Sequence, residues 1–102
     1  MPDRISAVVR ALADRELSAR QAARMMRRST SRFRHQFTAI VGMNFRTARL
    51  RAKLARGAHL LTSTRLTIPE ISGRLGYSER SKFEKAFKHV YQVTPTAYRQ
   101  RH

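Results

Sequence analysis

Cysteine is absent from this 102-residue chain, which removes disulfides, zinc ribbons, zinc fingers and thiol catalysis together, so packing alone must hold the fold. Acidic residues are scarce: six Asp and Glu stand against 22 Lys and Arg, leaving a formal net charge of +16. A globule this small tolerates such self-repulsion only with a reason, and a polyanionic partner is the simplest one. The acids are Asp3, Asp14, Glu16, Glu70, Glu79 and Glu84, most of them at expected helix termini or surface positions. With no glycine-rich phosphate loop and no nucleophile elbow, the chain carries no catalytic constellation and is not expected to be an enzyme. His35, His59, His89 and His102 show neither i, i+4 pairing nor acidic neighbours, so neither a metal nor another cofactor is expected. No apolar run approaches the roughly 18 residues of a membrane span, and no charged-then-apolar leader opens the chain. The expected compartment is the cytoplasm.

What is present is helical periodicity. Only three prolines occur, Pro2, Pro69 and Pro95, each where a helix could start, and no stretch alternates with period two long enough for a strand. The expected fold class is all-α, a single domain over residues 1–102. Ile5, Val8, Val9 and Leu12 form the stripe of a first helix ending near Asp14 and Arg15. Ser18 with Gln21 makes a capping box and Leu17 with Ala22 a hydrophobic staple for a second helix that runs to about Met26. Ser29 caps a third, with Phe33, Phe37, Ile40 and Val41 inward and Gly42 as its left-handed stop.

A long helix from about 44 to 61 turns Phe45, Ala48, Leu54, Ala55, Ala58 and Leu61 inward and sets Arg46, Arg49, Lys53 and Arg56 in a basic stripe. Gly57 inside it should cost about 1 kcal/mol relative to alanine, a cost that a close helix crossing would offset. After a loop from Thr62 to Arg65, Thr67 and Glu70 form a second capping box, with a Leu66 to Ile71 staple and Pro69 in the first turn. That short helix ends near Leu75, and Gly76 turns the chain. A sixth helix from about Ser78 and Glu79 buries Phe83, Phe87, Val90 and Tyr91, and a seventh follows Thr94 and Pro95 with Tyr98 inward.

The two halves repeat. Leu17-Ser18-x-x-Gln21-Ala22 returns 49 residues later as Leu66-Thr67-x-x-Glu70-Ile71, and Phe33-x-x-x-Phe37 returns 50 later as Phe83-x-x-x-Phe87. Each half therefore reads as a helix-turn-helix unit, at about 18–42 and about 67–91, joined by the long helix. Burying Phe33 and Phe37 sends Ser31, Arg34, His35 and Thr38 to the opposite face, and the second copy exposes Ser81, Glu84, Lys85 and Lys88 with Arg80 at the helix start.

The chemistry suits base edges in duplex DNA. Arg34, Arg80 and Lys85 can donate to guanine O6 and N7, Glu84 can accept from cytosine N4, and Ser31 and Ser81 can do either. His35 earns its place on this face by spacing only, a solvated surface histidine being the alternative. Arg32 and Lys82 beside the face suit phosphates, and Thr38 and Lys88 on it, with Arg27 and Arg28 at the first turn, are assigned the same role. A basic helical stripe is usually just solvated, so Arg46 and Arg49 are assigned phosphate contacts at most. Charge alone would equally suit a nonspecific nucleic-acid scaffold, or a helical module for an acidic protein partner. A matched pair of capping boxes on a chain of this charge favours specific reading, with recognition helices about 34 Å apart in adjacent major grooves.

Ile71-Ser72-Gly73-Arg74-Leu75-Gly76-Tyr77-Ser78, followed by Phe83-x-x-x-Phe87-Lys88 and Val93-Thr94-Pro95-x-x-Tyr98-Arg99, resembles the signature of the AraC/XylS family of bacterial transcription regulators. The resemblance covers essentially the whole chain. It implies seven helices with two helix-turn-helix units, a cytoplasmic transcription factor, often an activator, that bends promoter DNA and touches RNA polymerase, and a DNA-binding domain that is itself a monomer. It also implies base reading by Ser31, Arg34 and His35 and by Arg80, Ser81, Glu84 and Lys85. Three departures stand out: Arg27-Arg28 replace the glycine and apolar residue usual in the first turn, Ser72 replaces alanine, and Gln92 stands where glycine often ends the sixth helix.

Overall fold

The computed structural model describes residues 3–102; Pro2, as a helix start, and the side chain of Asp3 lie outside the described residues. Among these residues the chain is all-helical: α1 (Asp3–Asp14), α2 (Ala19–Met25), α3 (Thr30–Val41), α4 (Phe45–Ser63), α5 (Ile68–Arg74), α6 (Arg80–Tyr91) and α7 (Pro95–Arg101). No helix among them is long and apolar enough to cross a membrane. They cluster into two compact units, a first ending at Lys53 and a second from Leu54 to His102.

The first unit packs Ile5, Val8 and Leu12 of α1, Leu17, Ala22, Ala23 and Met26, and Phe33, Phe37 and Phe45 into one buried cluster. Its centre is aromatic. Phe45, from the start of α4, meets Phe33 and Phe37 edge-on at centroid distances of 5.1 and 5.3 Å, arrangements that add to area burial. Asn44 caps α4, its Oδ1 accepting from the Thr47 amide at 2.8 Å.

The second unit repeats this plan with Leu54, Ala58 and Leu61 from the rest of α4, Ile71, Leu75, Phe83 and Phe87, covered in part by Tyr91 and Tyr98. Phe87 stacks on Tyr91 at 4.4 Å and meets Tyr98 edge-on at 5.4 Å. Side chains from the neighbouring elements fill the space beside Gly57: a Cβ there would stand 2.9 Å from Leu75 Cδ1 and 3.2 Å from Phe83 Cε1. Arg99 reaches from α7 to the end of α4, its Nε donating to the Leu61 carbonyl at 2.9 Å, which satisfies an acceptor that the terminating helix leaves open.

The repeat runs further than its capping boxes. Ile5, Val8 and Leu12 sit 49 residues before Leu54, Gly57 and Leu61, and every one of the six is buried. The final stretch of α4 therefore serves the second unit as α1 serves the first.

Several inward assignments need correction. Val9 and Ile40 are each 41% exposed, and Ala55 is exposed as well. Helical spacing defines a stripe without fixing its width: in α1 the core extends toward Ala11 rather than Val9, in the last turn of α3 Val41 takes the contact, and Ala55 lies about 100° around the helix from Leu54. Thr62 and Ser63 belong to α4 and not to the following loop, with hydroxyls donating back to the His59 carbonyl. Such back-bonding lets polar residues extend a helix past its apolar pattern.

Candidate nucleic-acid interface

Two short capped helices set up the site. Ser18 Oγ accepts from the Gln21 amide at 3.1 Å while Gln21 Oε1 accepts from the Ser18 amide at 2.8 Å, and Thr67 and Glu70 reproduce the exchange at 3.2 and 3.0 Å. Hydrogen bonds from the Thr67 amide and hydroxyl hold the Glu70 carboxyl below the usual carboxylate range.

The turns after these helices share one design. Arg27 has φ 54° and Gly76 φ 89°; the amide after each bonds back across the turn, Arg28 to Ala23 O and Tyr77 to Ser72 O, both at 3.0 Å. Each left-handed residue also donates to the carbonyl three residues earlier, Arg27 to Arg24 and Gly76 to Gly73. These are the paired bonds of a Schellman stop, which reverses the chain tightly enough to lead straight into a second helix. The arginine in the glycine position thus leaves the turn intact. Gln92 does the same at the end of α6, with φ 65° where Gly42 ends α3 with φ 90°. Ser72 is buried, its hydroxyl 3.5 Å from the Glu79 carbonyl at the entrance to α6.

The turns set which way α3 and α6 face within their own units. In α3, Phe33 and Phe37 are fully buried, and Ser31, Arg32, Arg34, His35 and Thr38 are exposed. Ser31, Arg34, His35 and Thr38 line a shallow open depression with Ala39; Ser31 and His35 also line a second one with Ser29, Arg32 and Gln36. Thr38 donates its hydroxyl to the Arg34 carbonyl at 3.0 Å, leaving its oxygen as an acceptor. In α6, Phe83 and Phe87 are fully buried, Arg80, Ser81, Lys82, Lys85 and Lys88 are exposed, and Glu84 is half-buried. Arg27 and Arg28 are exposed at the first turn.

Among the described residues, four ion pairs join acids to bases in this region, and the two made by Glu16 had no sequence signal beyond opposite charge. Glu16, in the segment between α1 and α2, accepts from Arg49 Nε at 2.7 Å and from Lys53 Nζ at 3.1 Å. Partial burial pushes the Glu16 carboxyl up, but the hydrogen bonds and charges of Arg49 and Lys53 outweigh it and hold the group below the usual carboxylate range. Arg49 therefore has a protein partner, whereas Arg46 is exposed on the same helix. In α6, Glu79 occupies the N-cap position without capping, since its carboxylate pairs with Lys82 at 3.3 Å, and Arg80 Nε lies 3.3 Å from Glu84 Oε1.

Two helix-turn-helix units, each with an apolar inner face and a polar, largely basic outer face on its second helix, define the class. A family model described as a helix-turn-helix domain matches residues 22–101, and the chain belongs to this AraC-type family. The F1 operon positive regulatory protein of Yersinia pestis is 41% identical over 63 residues, 62% of this chain and 21% of that protein. The chain spans about a fifth of the length of the curated relatives it matches. Among solved structures, the transcriptional regulator CdpR from Pseudomonas aeruginosa is similar with a TM-score of 0.77 and 33% identity, over 95% of this chain and 30% of that one. The DNA-binding domain of AdpA, a global transcriptional factor solved in complex with a target DNA, shares the fold with a TM-score of 0.77 and 17% identity, over 96% of this chain and 87% of that one.

Proposed function

We propose that the chain binds double-stranded DNA sequence-specifically and forms the DNA-reading part of a bacterial transcription regulator. The observation that carries this reading is the twice-built arrangement of capped helix, left-handed Schellman turn and second helix with a polar outer face, in a chain of net charge +16. Residues 1–102 act as one DNA-binding domain in which α3 and α6 take successive major grooves of one promoter or operator duplex. Ser31, Arg34 and His35 read bases in one groove, and Arg80, Ser81, Glu84 and Lys85 in the other. Arg27, Arg28, Arg32, Thr38, Arg46, Lys82 and Lys88 contact phosphates, which supply affinity without sequence information. Arg49 joins them to the extent that it leaves Glu16. The domain is a monomer in a cytoplasmic regulator at the nucleoid, an activator that touches RNA polymerase, and its function is binding rather than catalysis.

Selection from random duplex DNA tests the reading. The expected result is an enriched sequence whose footprint covers two adjacent major grooves. Displacement of every selected site equally well by bulk DNA or structured RNA would instead establish a nonspecific scaffold.

A further inference from the structure

Resting on that reading, we infer that Arg80 and Glu84 form one coupled reading device, in which Glu84 is a positioning residue that aims the Arg80 guanidinium at a guanine and rejects acceptor-only edges beside it. Arg80 is the first residue of α6 and Glu84 lies one turn later, with Nε and Oε1 3.3 Å apart.

Helix stability is a poor reason for the pair. A cation in the first turn faces the positive end of the helix dipole, and Arg preceding Glu is the less stabilising order of an i, i+4 pair. With side chains 60% and 39% exposed, such a contact changes a folding equilibrium by only about twofold. On a surface meant for a polyanion, a lone carboxylate is a liability. Paired with Arg80 it is neutralised and becomes a fixed wall.

The pairing decides which part of Arg80 is available. With Nε the guanidinium nitrogen nearest Glu84, the two terminal amino groups remain as a planar pair of donors, matched to guanine N7 and O6. Glu84 presents its second oxygen alongside. That oxygen repels guanine O6 and thymine O4 but accepts from cytosine N4 or adenine N6, so the neighbouring position is restricted to cytosine or adenine.

The first unit lacks this device. Fifty residues earlier, the places of Arg80 and Glu84 are held by Thr30 and Arg34, which cannot pair in this way. The two recognition helices therefore read by different chemistry, α3 without a carboxylate and α6 by a donor fork beside one.

Sites selected with the unaltered chain are compared with those of R80A, R80K, E84A and the R80A/E84A double variant, with helical content checked by circular dichroism. R80A and R80K are expected to lose a guanine preference of about tenfold at one position. E84A should lose most of the same preference while its affinity for unselected duplex rises, because an anion has been removed; the double variant should be no worse than R80A. A merely structural Glu84 would lower both affinities together. Retention of the guanine preference in E84A or R80K, or additive losses in the double variant, overturns the coupling and leaves the wider reading standing. Failure of the unaltered chain to enrich any sequence overturns both.

Discussion

Arg27 and Gly76 hold the same left-handed place in two copies of one turn, with φ of 54° and 89°. Only the second copy uses the residue that adopts this backbone without steric penalty. An exposed arginine kept at a strained position in the turn before a recognition helix is consistent with a phosphate contact. Arg27→Gly should stabilise the fold by about 0.5–1 kcal/mol, net of the added flexibility of the unfolded chain. If Arg27 touches a phosphate, the same change lowers affinity for all duplexes and reduces the salt slope by about one. A thermal melt and a salt titration of binding measure the two effects separately. A variant that gains stability and binds unchanged removes Arg27 from the interface.

Gly57 is held by a steric constraint rather than by backbone freedom. Its counterpart 49 residues earlier is Val8, so the equivalent place in the first unit accepts a branched side chain. In the second unit Leu75 and Phe83 occupy that space. Gly57→Val should cost about 2–3 kcal/mol through overpacking, read as a lower midpoint of chemical unfolding. An unchanged midpoint would mean that Leu75 and Phe83 move aside freely.

The Glu16 contacts carry a pH signature. Because its folded carboxyl is held below its unfolded value, near about 4.3, the contribution is fully present above that pH and is lost as pH falls through the folded pKa. Glu16→Gln should therefore lower stability at pH 7 by about 0.5–1 kcal/mol, an amount set by a solvent-exposed pair. Near pH 3 and below, the difference from the unaltered chain should disappear. A deficit of constant size from pH 7 to pH 3 would rule out the ionic origin.

Substitutions of Arg34 and Lys88 test the proposed division between base reading and phosphate binding. Arg34→Ala should relax the preferred bases in one half of the selected site, at a cost of about 1–3 kcal/mol for the preferred sequence. Lys88→Ala should weaken all sequences alike. Competition between matched and altered duplexes decides, and uniform weakening by Arg34→Ala would move that residue to the backbone contacts.

Local sequence patterns determined most of the elements. Ser18 with Gln21, Thr67 with Glu70, and Pro95 after Thr94 satisfy donors within a turn of themselves, so those helix starts were readable without knowing anything distant. The Phe33 and Phe83 repeats likewise implied which faces of α3 and α6 turn outward, since a helix that buries one side must expose the other. The breadth of each buried stripe was not readable, as Val9, Ile40 and Ala55 show, because it depends on what packs alongside.

Tertiary structure alone decided the contacts made by long flexible side chains. Glu16 meets Arg49 and Lys53 across more than thirty residues, Arg99 closes the end of α4 at Leu61, and Gly57 makes room for Phe83. Hydrogen-bonded caps and helical periods act between residues a few positions apart, where the chain itself holds the partners together. Charge pairing and steric exclusion act between whichever atoms the packed core brings within reach, and no spacing in the sequence encodes that distance.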